Sequence, residues 1–507
     1  MKLSKLLYEG EYTGGGDPRE IEVSSIVTDT RALTPGCLFI CLRGTRFDSH
    51  TLLSLVEGKR AAAAIVEQDA MIPEGVTLPL FFVPSTRRAM AFAFSRFFGD
   101  PHRDMTMIGV TGTNGKTSTA TVLYSILREA GVKVGLIGTA ECLYNGKTYT
   151  LPEGEDGGSR LRTMTTPDPD VLYPMLRLMR DEGITHVVME VSSHALMLEK
   201  VAPIAYEVGI FTNLSPEHMD FHNDMESYRA AKAILFRQCR VGIFNGDSEH
   251  TEAILSEATC EVRRGGTHTR CEHMALDVEL RGAAGIAYTY AGPGIRLRIR
   301  STLPGVFSVK NTLLALMAAL ELGLSPLVAA GALAKRIDVP GRMERVPLGA
   351  AEEFCVFIDY AHTEAALRSL LSTVRAFRRE GERIVLLFGC GGDRDREKRG
   401  PMGKAAEELA DRVIVTSDNC RTEDPKRIME DILAGMTHPE RVRTVKSRRR
   451  AIEEAILTAE AGDIILLCGK GHETYEITAG GVRHFDEREI VRAALEKRKN
   501  GDTDHEN

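Results

Sequence analysis

Apolar residues fall into two alternating textures along this chain. Short runs are rich in β-branched and aromatic residues, and longer stretches repeat apolar positions every three or four residues. Buried strands produce the first texture and amphipathic helices the second. The early strand-like runs are Ser25 to Val27, Cys37 to Cys41, Ala62 to Val66 and Leu80 to Val83, and a helix is expected over Arg87 to Phe98. Gly99-Asp100-Pro101 interrupts that pattern, so a boundary is expected there. A new strand begins at Met105, followed by a glycine-rich turn and a helix over Thr117 to Ala130 that Gly131 would stop. Further strands at Val134 to Ile137, His186 to Val191, Val208 to Thr212 and Val241 to Asn245, with helices between them, predict a mostly parallel sheet. Asn145-Gly146 between two strand-like runs predicts a tight hairpin. Ile295, Leu297 and Ile299 alternate with Arg296, Arg298 and Arg300, the pattern of a strand with one solvated face. After Val339-Pro340-Gly341 a further α/β segment is expected, with strands Cys355 to Asp359, Ile384 to Gly389, Arg412 to Thr416 and Asp463 to Cys468.

The 507 residues accommodate roughly three domains at ~100 to 200 residues each. The expected organisation is three α/β domains: residues 1–100, a central phosphate-loop domain over 101–339 with a mostly parallel sheet, and a Rossmann-like domain over 340–495. A disordered polar tail is expected over 496–507. With 71 acidic and 64 basic side chains the formal charge is -7, so no general field draws the chain to nucleic acid or an anionic membrane. The richest apolar run, Thr312 to Leu324, contains Glu321 and is too short to span a bilayer, so no membrane insertion is expected. Ten cysteines without a CxxC pair suit neither a disulfide framework nor a common zinc pattern, which points to a reducing cytoplasm.

Gly112-Thr113-Asn114-Gly115-Lys116-Thr117 lies between a buried-type strand and a helix. Such a loop aims backbone N–H groups and a helix N-terminus at phosphate, with Lys116 reaching the terminal phosphates and Thr117 a Mg²⁺ ion. The usual pattern would place glycine at 110, where this chain has valine. Glu190 ends a strand and is followed by Ser192, Ser193 and His194, which suit either a ligand crevice or a helix cap. His218 and Asp220 follow another strand end, where polar turn residues account for them equally well, and Arg229 and Lys232 share a helix face, where by themselves two solvated cations are the better account. In the last segment, four Gly-rich or charged loops follow four strands: Asp359 to Thr363, Phe388 to Asp395, Ser417 to Arg421, and Gly469 to Glu473. Together they predict a site on one sheet edge, although each alone has the composition of a turn.

The stretches TDTRALTPGCLFICLRG, GVTGTNGKTSTA, TTPDPDVL, MEVSSHAL, TNLSPEHMDFH, YRAAKAILF, PGRMERV, DYAHTEAAL, FGCGGDRDREKR, SDNCRTEDP and CGKGHETYE occur in this order and resemble the Mur ligases, the ATP-dependent synthetases of peptidoglycan precursors. The last three resemble the members that add a third peptide residue to UDP-N-acetylmuramoyl-L-alanyl-D-glutamate. The resemblance implies a cytoplasmic, monomeric ligase using ATP and Mg²⁺. It implies that Gly112 to Thr117 bind ATP and that Lys116, Lys232 and His218 are catalytic. Thr117, Glu190, His218 and Lys232 would hold the metal, Lys232 as the carbamate N6-carboxylysine. Thr28, Thr30 and the loop Gly44-Thr45-Arg46 would contact the uridine nucleotide, and Thr165, Thr166, Ser192 and Lys200 the muramoyl-dipeptide. The family often has glutamine and arginine where this chain has Leu198 and Lys200.

The implied chemistry passes the γ-phosphoryl of ATP to the free D-glutamyl carboxylate, and an amine then attacks the acyl phosphate. Phosphoryl transfer rests on positioning and charge neutralisation, so a covalent serine or cysteine triad is not needed. The incoming residue is meso-diaminopimelate or, as the alternative, L-lysine, which lacks the far carboxylate, or another diamino acid. Arg394 and Arg421 suit that carboxylate, with Asn419, Gly469 and Glu473 around the neighbouring ammonium. The diaminopimelate signature D-N-P-R reads Asp418-Asn419-Cys420-Arg421 here, with cysteine in place of proline. More remote alternatives are folylpolyglutamate synthetase and a regulatory ATPase.

Overall fold

The computed structural model describes residues 1–44, 47–149, 164–217, 219–268, 271–349 and 353–499. The chain forms two compact units, Met1–Glu272 with Met317–Leu324, and His273–Leu316 with the residues from Ser325 onward.

The first unit holds two sheets. In the smaller, the strands run in the order Thr13–Gly14, Leu80–Val83, Ala63–Glu67, Leu38–Ile40 and Ile26–Val27, all parallel except the first. Period-two alternation gives this sheet two buried faces. Leu38, Ile40, Ile65 and Phe81 join one core, while Cys37, Phe39, Cys41 and Val66 join another.

The larger sheet contains Glu261–Gly266, Cys239–Asn245, Tyr206–Phe211, Thr106–Thr111, His186–Glu190 and Val134–Ile137 as parallel neighbours in that order. The hairpin Cys142–Tyr144 and Lys147–Thr148 extends it antiparallel. Its turn has φ 49° at Asn145 and 78° at Gly146, the mirror-image backbone that the Asn-Gly pair favours. The register fixes the site, because Val110 lies opposite Glu190 and Thr111 opposite Phe211. The strand carrying the glycine loop therefore ends level with both neighbours.

In the second unit the strands run in the order Glu344–Arg345, Cys355–Asp359, Asp463–Cys468, Arg383–Phe388, Arg412–Thr416 and Arg443–Val445, parallel after the first pair. Both faces are again buried. Leu386, Val415 and Leu466 enter one core, and Leu387, Ile414 and Leu467 the other. Three antiparallel strands, His273–Leu280, Ile286–Gly292 and Ile295–Ser301, also belong to this unit. Arg296, Arg298 and Arg300 are exposed, and Arg298 donates to the Asp277 carbonyl at 3.1 Å, so this is a solvated strand face.

The tail differs from expectation. The helix Glu487–Lys499 carries order past Glu496, because Ile490, Val491, Ala494 and Leu495 bury one face and Arg498 donates to the Ile456 carbonyl at 2.7 Å. Residues 500–507 lie outside the described residues. Among the described residues no helix is long and apolar enough to cross a membrane, and all ten cysteines are free thiols.

Candidate active site

The strand Thr106–Thr111 runs into the glycine loop and then the helix Lys116–Glu129, capped by Gly115 at φ 84°. Gly112 has φ 146°, and a Cβ there would overlap the Thr212 hydroxyl, so glycine is needed for both conformation and space. The neighbouring strand end braces this loop from a distant part of the chain. Thr113 N–H donates to the Asn213 carbonyl at 2.8 Å, Asn114 N–H to Asn213 Oδ1 at 3.0 Å, and Thr212 Oγ1 to the Asn114 carbonyl at 2.6 Å. Lys116 Nζ donates to the carbonyls of Gly112 at 2.9 Å and Thr113 at 2.8 Å, which keeps its ammonium on the loop.

Glu190 is 1% exposed at the end of its strand. Its carboxylate accepts from Thr117 Oγ1 at 3.1 Å, Thr139 N–H at 2.8 Å and Thr139 Oγ1 at 3.1 Å. Lys232, on the helix Met225–Ala233, is equally buried, and its Nζ donates to the Gly112 carbonyl at 2.9 Å. Burial, reinforced by the charge of Lys116 and opposed by Glu217, pushes the Lys232 pKa well down. Arg229 on the same helix instead faces Glu226 at 3.9 Å and Glu257 at 3.7 Å and is half-buried, so it is not the fully solvated cation that its helix position alone suggests. His218 and the side chain of Asp220 lie outside the described residues.

The oxygens of Thr117 and Glu190 are hard donors that suit Mg²⁺, and their convergence from the first turn of a helix and the end of a strand fits such an ion. Beside them, Thr165 Oγ1 lies 3.1 Å from Thr139 Oγ1, and Thr166 Oγ1 donates to the Glu190 carbonyl at 2.9 Å. Ser192 caps the helix Ser193–Met197 by accepting from Ala195 N–H at 3.2 Å, while Lys200 Nζ pairs with Asp168 at 2.7 Å. Thr165, Thr166 and Ser192 thus gather around Glu190. Thr28 and Thr30 are half-buried in the turn after the edge strand Ile26–Val27 of the smaller sheet, and Thr45 and Arg46 lie outside the described residues.

In the second unit, the loops after Arg412–Thr416 and Asp463–Cys468 build a buried polar network. Lys470, 0% exposed, donates to Asn419 Oδ1 at 3.0 Å and Glu473 Oε2 at 3.4 Å. Asn419 Nδ2 donates to Glu473 Oε2 at 2.7 Å. Burial would raise the Asp418 pKa, but Lys470 and Arg448 outweigh it and hold the carboxyl below its usual value. Burial wins at Glu473, whose pKa is raised against the opposing Lys470. Gly469 has φ 113°, and a Cβ would stand 2.6 Å from Asp418 Oδ2. Arg421 Nη1 donates to the carbonyls of Gly392 at 2.8 Å and Asn419 at 3.2 Å, while its Nε and Nη2 make no hydrogen bond among the described residues. Arg394 is exposed on the adjacent loop. Cys420 is buried, with its thiol pKa pushed up to about 11 by desolvation.

Several contributors were not legible as site residues. Thr139 orients Glu190 from the end of a separate strand, and the only signal was its position after that strand. Tyr228 OH lies 3.1 Å from Thr113 Oγ1, and its ring packs against His222 with centroids 4.7 Å apart. Asn245 Nδ2 donates to the Thr212 carbonyl at 2.7 Å, supporting the brace from behind. Lys470 looked like one more polar turn residue.

A family model described as the Mur ligase middle domain matches residues 110–319, and one described as the Mur ligase, glutamate ligase domain matches residues 341–471. The chain is 38% identical over 495 residues to a UDP-N-acetylmuramoyl-L-alanyl-D-glutamate–2,6-diaminopimelate ligase of Geobacillus thermodenitrificans, covering 96% of each chain. It is 38% identical over 501 residues to the Streptomyces avermitilis protein of that name, covering 96% of this chain and 95% of the relative. A solved structure of a ligase so named is 27% identical with a TM-score of 0.69, over 98% of this chain and 99% of the other. The folylpolyglutamate synthase of Mycobacterium tuberculosis shares the fold at 20% identity and a TM-score of 0.61, over 82% of this chain and 96% of the other. With both family domains matched and full-length relatives above the level at which homology is secure, this chain belongs to the Mur ligase family.

Proposed function

We propose that this protein is the ATP-dependent ligase that joins meso-diaminopimelate to UDP-N-acetylmuramoyl-L-alanyl-D-glutamate, releasing ADP and phosphate, in the synthesis of peptidoglycan precursor. The observation that carries this reading is full-length similarity to 2,6-diaminopimelate ligases. The unengaged edge of Arg421 supports the choice of amino acid, because a planar fork suits a carboxylate that L-lysine lacks. In this reading the domains are residues 1–100 for the uridine nucleotide, 101–339 for ATP and 340–495 for the amino acid, and the enzyme is a cytoplasmic monomer.

The residues divide the work by chemistry. Gly112, Thr113 and Asn114 shape the loop, the last two with their N–H groups held by Asn213, and the N–H groups from Gly115 into the N-terminus of the following helix receive the phosphates of ATP. Lys116 neutralises charge on the γ-phosphoryl as it passes to the D-glutamyl carboxylate. Thr117, Glu190, His218 and Lys232 would hold Mg²⁺, which supplies further charge neutralisation when bound. Burial holds the Lys232 pKa down, which favours the neutral amine whose lone pair would add to CO₂ with loss of a proton to give a carbamate. That exchange turns a cation into an oxygen ligand, which the ion prefers. Thr28 and Thr30 would position the nucleotide, and Thr165, Thr166, Ser192 and Lys200 the dipeptide. Asp418, Asn419, Gly469 and Glu473 would receive the ammonium of diaminopimelate, and Arg394 and Arg421 its far carboxylate, with Cys420 setting the backbone between them.

The test is to incubate the protein with ATP, Mg²⁺, the UDP-linked dipeptide and meso-diaminopimelate, and to identify the product by mass. A UDP-muramoyl-tripeptide formed together with ADP supports the reading; ATP hydrolysis without a tripeptide overturns it.

A further inference from the structure

We infer that Glu423, Arg399 and Asp393 form a positioning lock that presets Arg394 and Arg421 as one receptor for the far carboxylate, so that selectivity against L-lysine resides in the lock as well as in the arginines. The inference rests on the amino-acid reading given above.

The two arginines stand on separate loops that leave neighbouring parallel strands, Arg383–Phe388 and Arg412–Thr416, with Phe388 opposite Val415. Both flank Gly391: a Cβ there would lie 3.0 Å from Arg421 Nη1 and 3.8 Å from Arg394 Cγ. Each loop contains a non-glycine residue in the left-handed region, Asp393 at φ 53° and Arg421 at φ 52°. L-residues avoid that conformation, and it persists where the surroundings over-determine it.

Here the surroundings are the opposite loop. Asp393 N–H donates to Glu423 Oε1 at 2.6 Å, and the Asp393 carboxylate accepts from Thr422 N–H at 3.1 Å and Thr422 Oγ1 at 2.8 Å. In return, Gly392 N–H donates to the Asn419 carbonyl at 2.9 Å, and Arg421 reaches the Gly392 carbonyl. Arg399 anchors the exchange. It is 1% exposed and donates to the two Glu423 oxygens at 3.1 and 3.0 Å, to Asp431 at 2.8 Å and to the Gly391 carbonyl at 3.4 Å. The Arg399 bonds are the main reason the Glu423 pKa falls to about 2, so this anchor stays charged in any working buffer.

None of the three locking residues is assigned a substrate contact. Their effect is to fix in advance the loops that diaminopimelate would otherwise have to order on binding, a cost that weakens affinity. L-lysine draws no benefit from that order. A purely structural role would affect all substrates alike, whereas a positioning role is selective.

The experiment uses the full chain and measures KM and kcat separately for ATP, the UDP-dipeptide, meso-diaminopimelate and L-lysine. Glu423→Gln is expected to raise the KM for meso-diaminopimelate by about tenfold, the scale of one lost ordering contribution, with the other two KM values and that for L-lysine little changed. Asp393→Ala, at an exposed position where the fold should survive, gives the same selective loss. Asp393→Asn keeps one acceptor oxygen, which can take both Thr422 donors as Asp393 Oδ2 does at 3.1 and 3.0 Å, and recovers most of the affinity. Equal changes in all KM values, or no change in any, overturn the lock. Arg421→Ala separates the two levels of the claim. If it raises the diaminopimelate KM while Glu423→Gln and Asp393→Ala do not, the lock fails alone; if Arg421→Ala itself has no effect, the amino-acid site is misplaced and the lock falls with it.

Discussion

Replacing Arg421 by alanine removes a guanidinium whose inner nitrogen, Nη1, is committed to the carbonyls of Gly392 and Asn419 and whose Nε and Nη2 are unengaged among the described residues. The outer edge is what a carboxylate can grip at two points. A charge-assisted hydrogen-bonded pair contributes about 1.5 to 3 kcal/mol, which converts to roughly a ten- to hundredfold fall in kcat/KM for meso-diaminopimelate. Losing the inner bonds should also cost about 1 kcal/mol of loop stability, and a thermal melt of the variant measures that share. Arg421→Lys keeps the charge without the fork and should recover little. Steady-state kinetics with both amino acids are decisive, because L-lysine offers the fork nothing and its kcat/KM should hold. An equal fall for L-lysine, or an unchanged value for diaminopimelate, would refute the assignment of Arg421 to the far carboxylate.

Lys116→Ala should leave a folded protein whose ligation rate falls ~10²-fold or more, as expected when a preorganised charge is removed from the transition state; near-normal turnover would show that the loop serves another purpose. For Lys232 the folded pKa lies below the unfolded one, so the unfolded chain binds more protons between the two values and stability rises with pH across that window. Denaturant titrations in CO₂-free buffer should show this slope, at most about 1.4 kcal/mol per pH unit, and Lys232→Met should lack it. An identical slope in the variant contradicts the lowered pKa of Lys232, and retained activity in Lys232→Arg contradicts the carbamate. His472 is held near pKa 4 by burial, helped by Arg342 and Arg488. Its contribution is intact above about pH 6.5 and is lost toward pH 4, a change of about 3 kcal/mol. His472→Gln should flatten that acid limb in a melting-temperature series, and an unchanged limb would assign it to other groups.

Elements with strong periodicity were legible to within a residue or two: the strand predicted from Met105 runs over Thr106–Thr111, and that predicted over Leu80 to Val83 is found there unchanged. The glycine loop was legible because its backbone demands are local. Its support was not, since Asn213 and Thr212 meet Asn114 only through the pairing of Thr106–Thr111 with Tyr206–Phe211. Arg399 sits in the run Asp393-Arg394-Asp395-Arg396-Glu397-Lys398-Arg399, which reads as a solvated turn, yet its side chain is fully covered because Glu423 and Asp431 reach it from other elements. Lys470 was hidden in the same way. Composition at Glu496 to Lys499 suggested a free tail, but the apolar stripe that begins at Ile490 carries the helix through it. Local rules thus described elements and turns, while charged residues buried by tertiary pairing escaped them.

The central claim concerns which bond this enzyme makes, and a competition assay tests it most directly. The protein is supplied with ATP, Mg²⁺, UDP-N-acetylmuramoyl-L-alanyl-D-glutamate and equal concentrations of meso-diaminopimelate and L-lysine, and the two tripeptide products are separated by mass. A product pool dominated by the diaminopimelate adduct, formed in step with ADP, is the predicted result. Predominance of the lysine adduct would contradict the selectivity argued from Arg394 and Arg421, and ADP without either adduct would contradict the ligase itself.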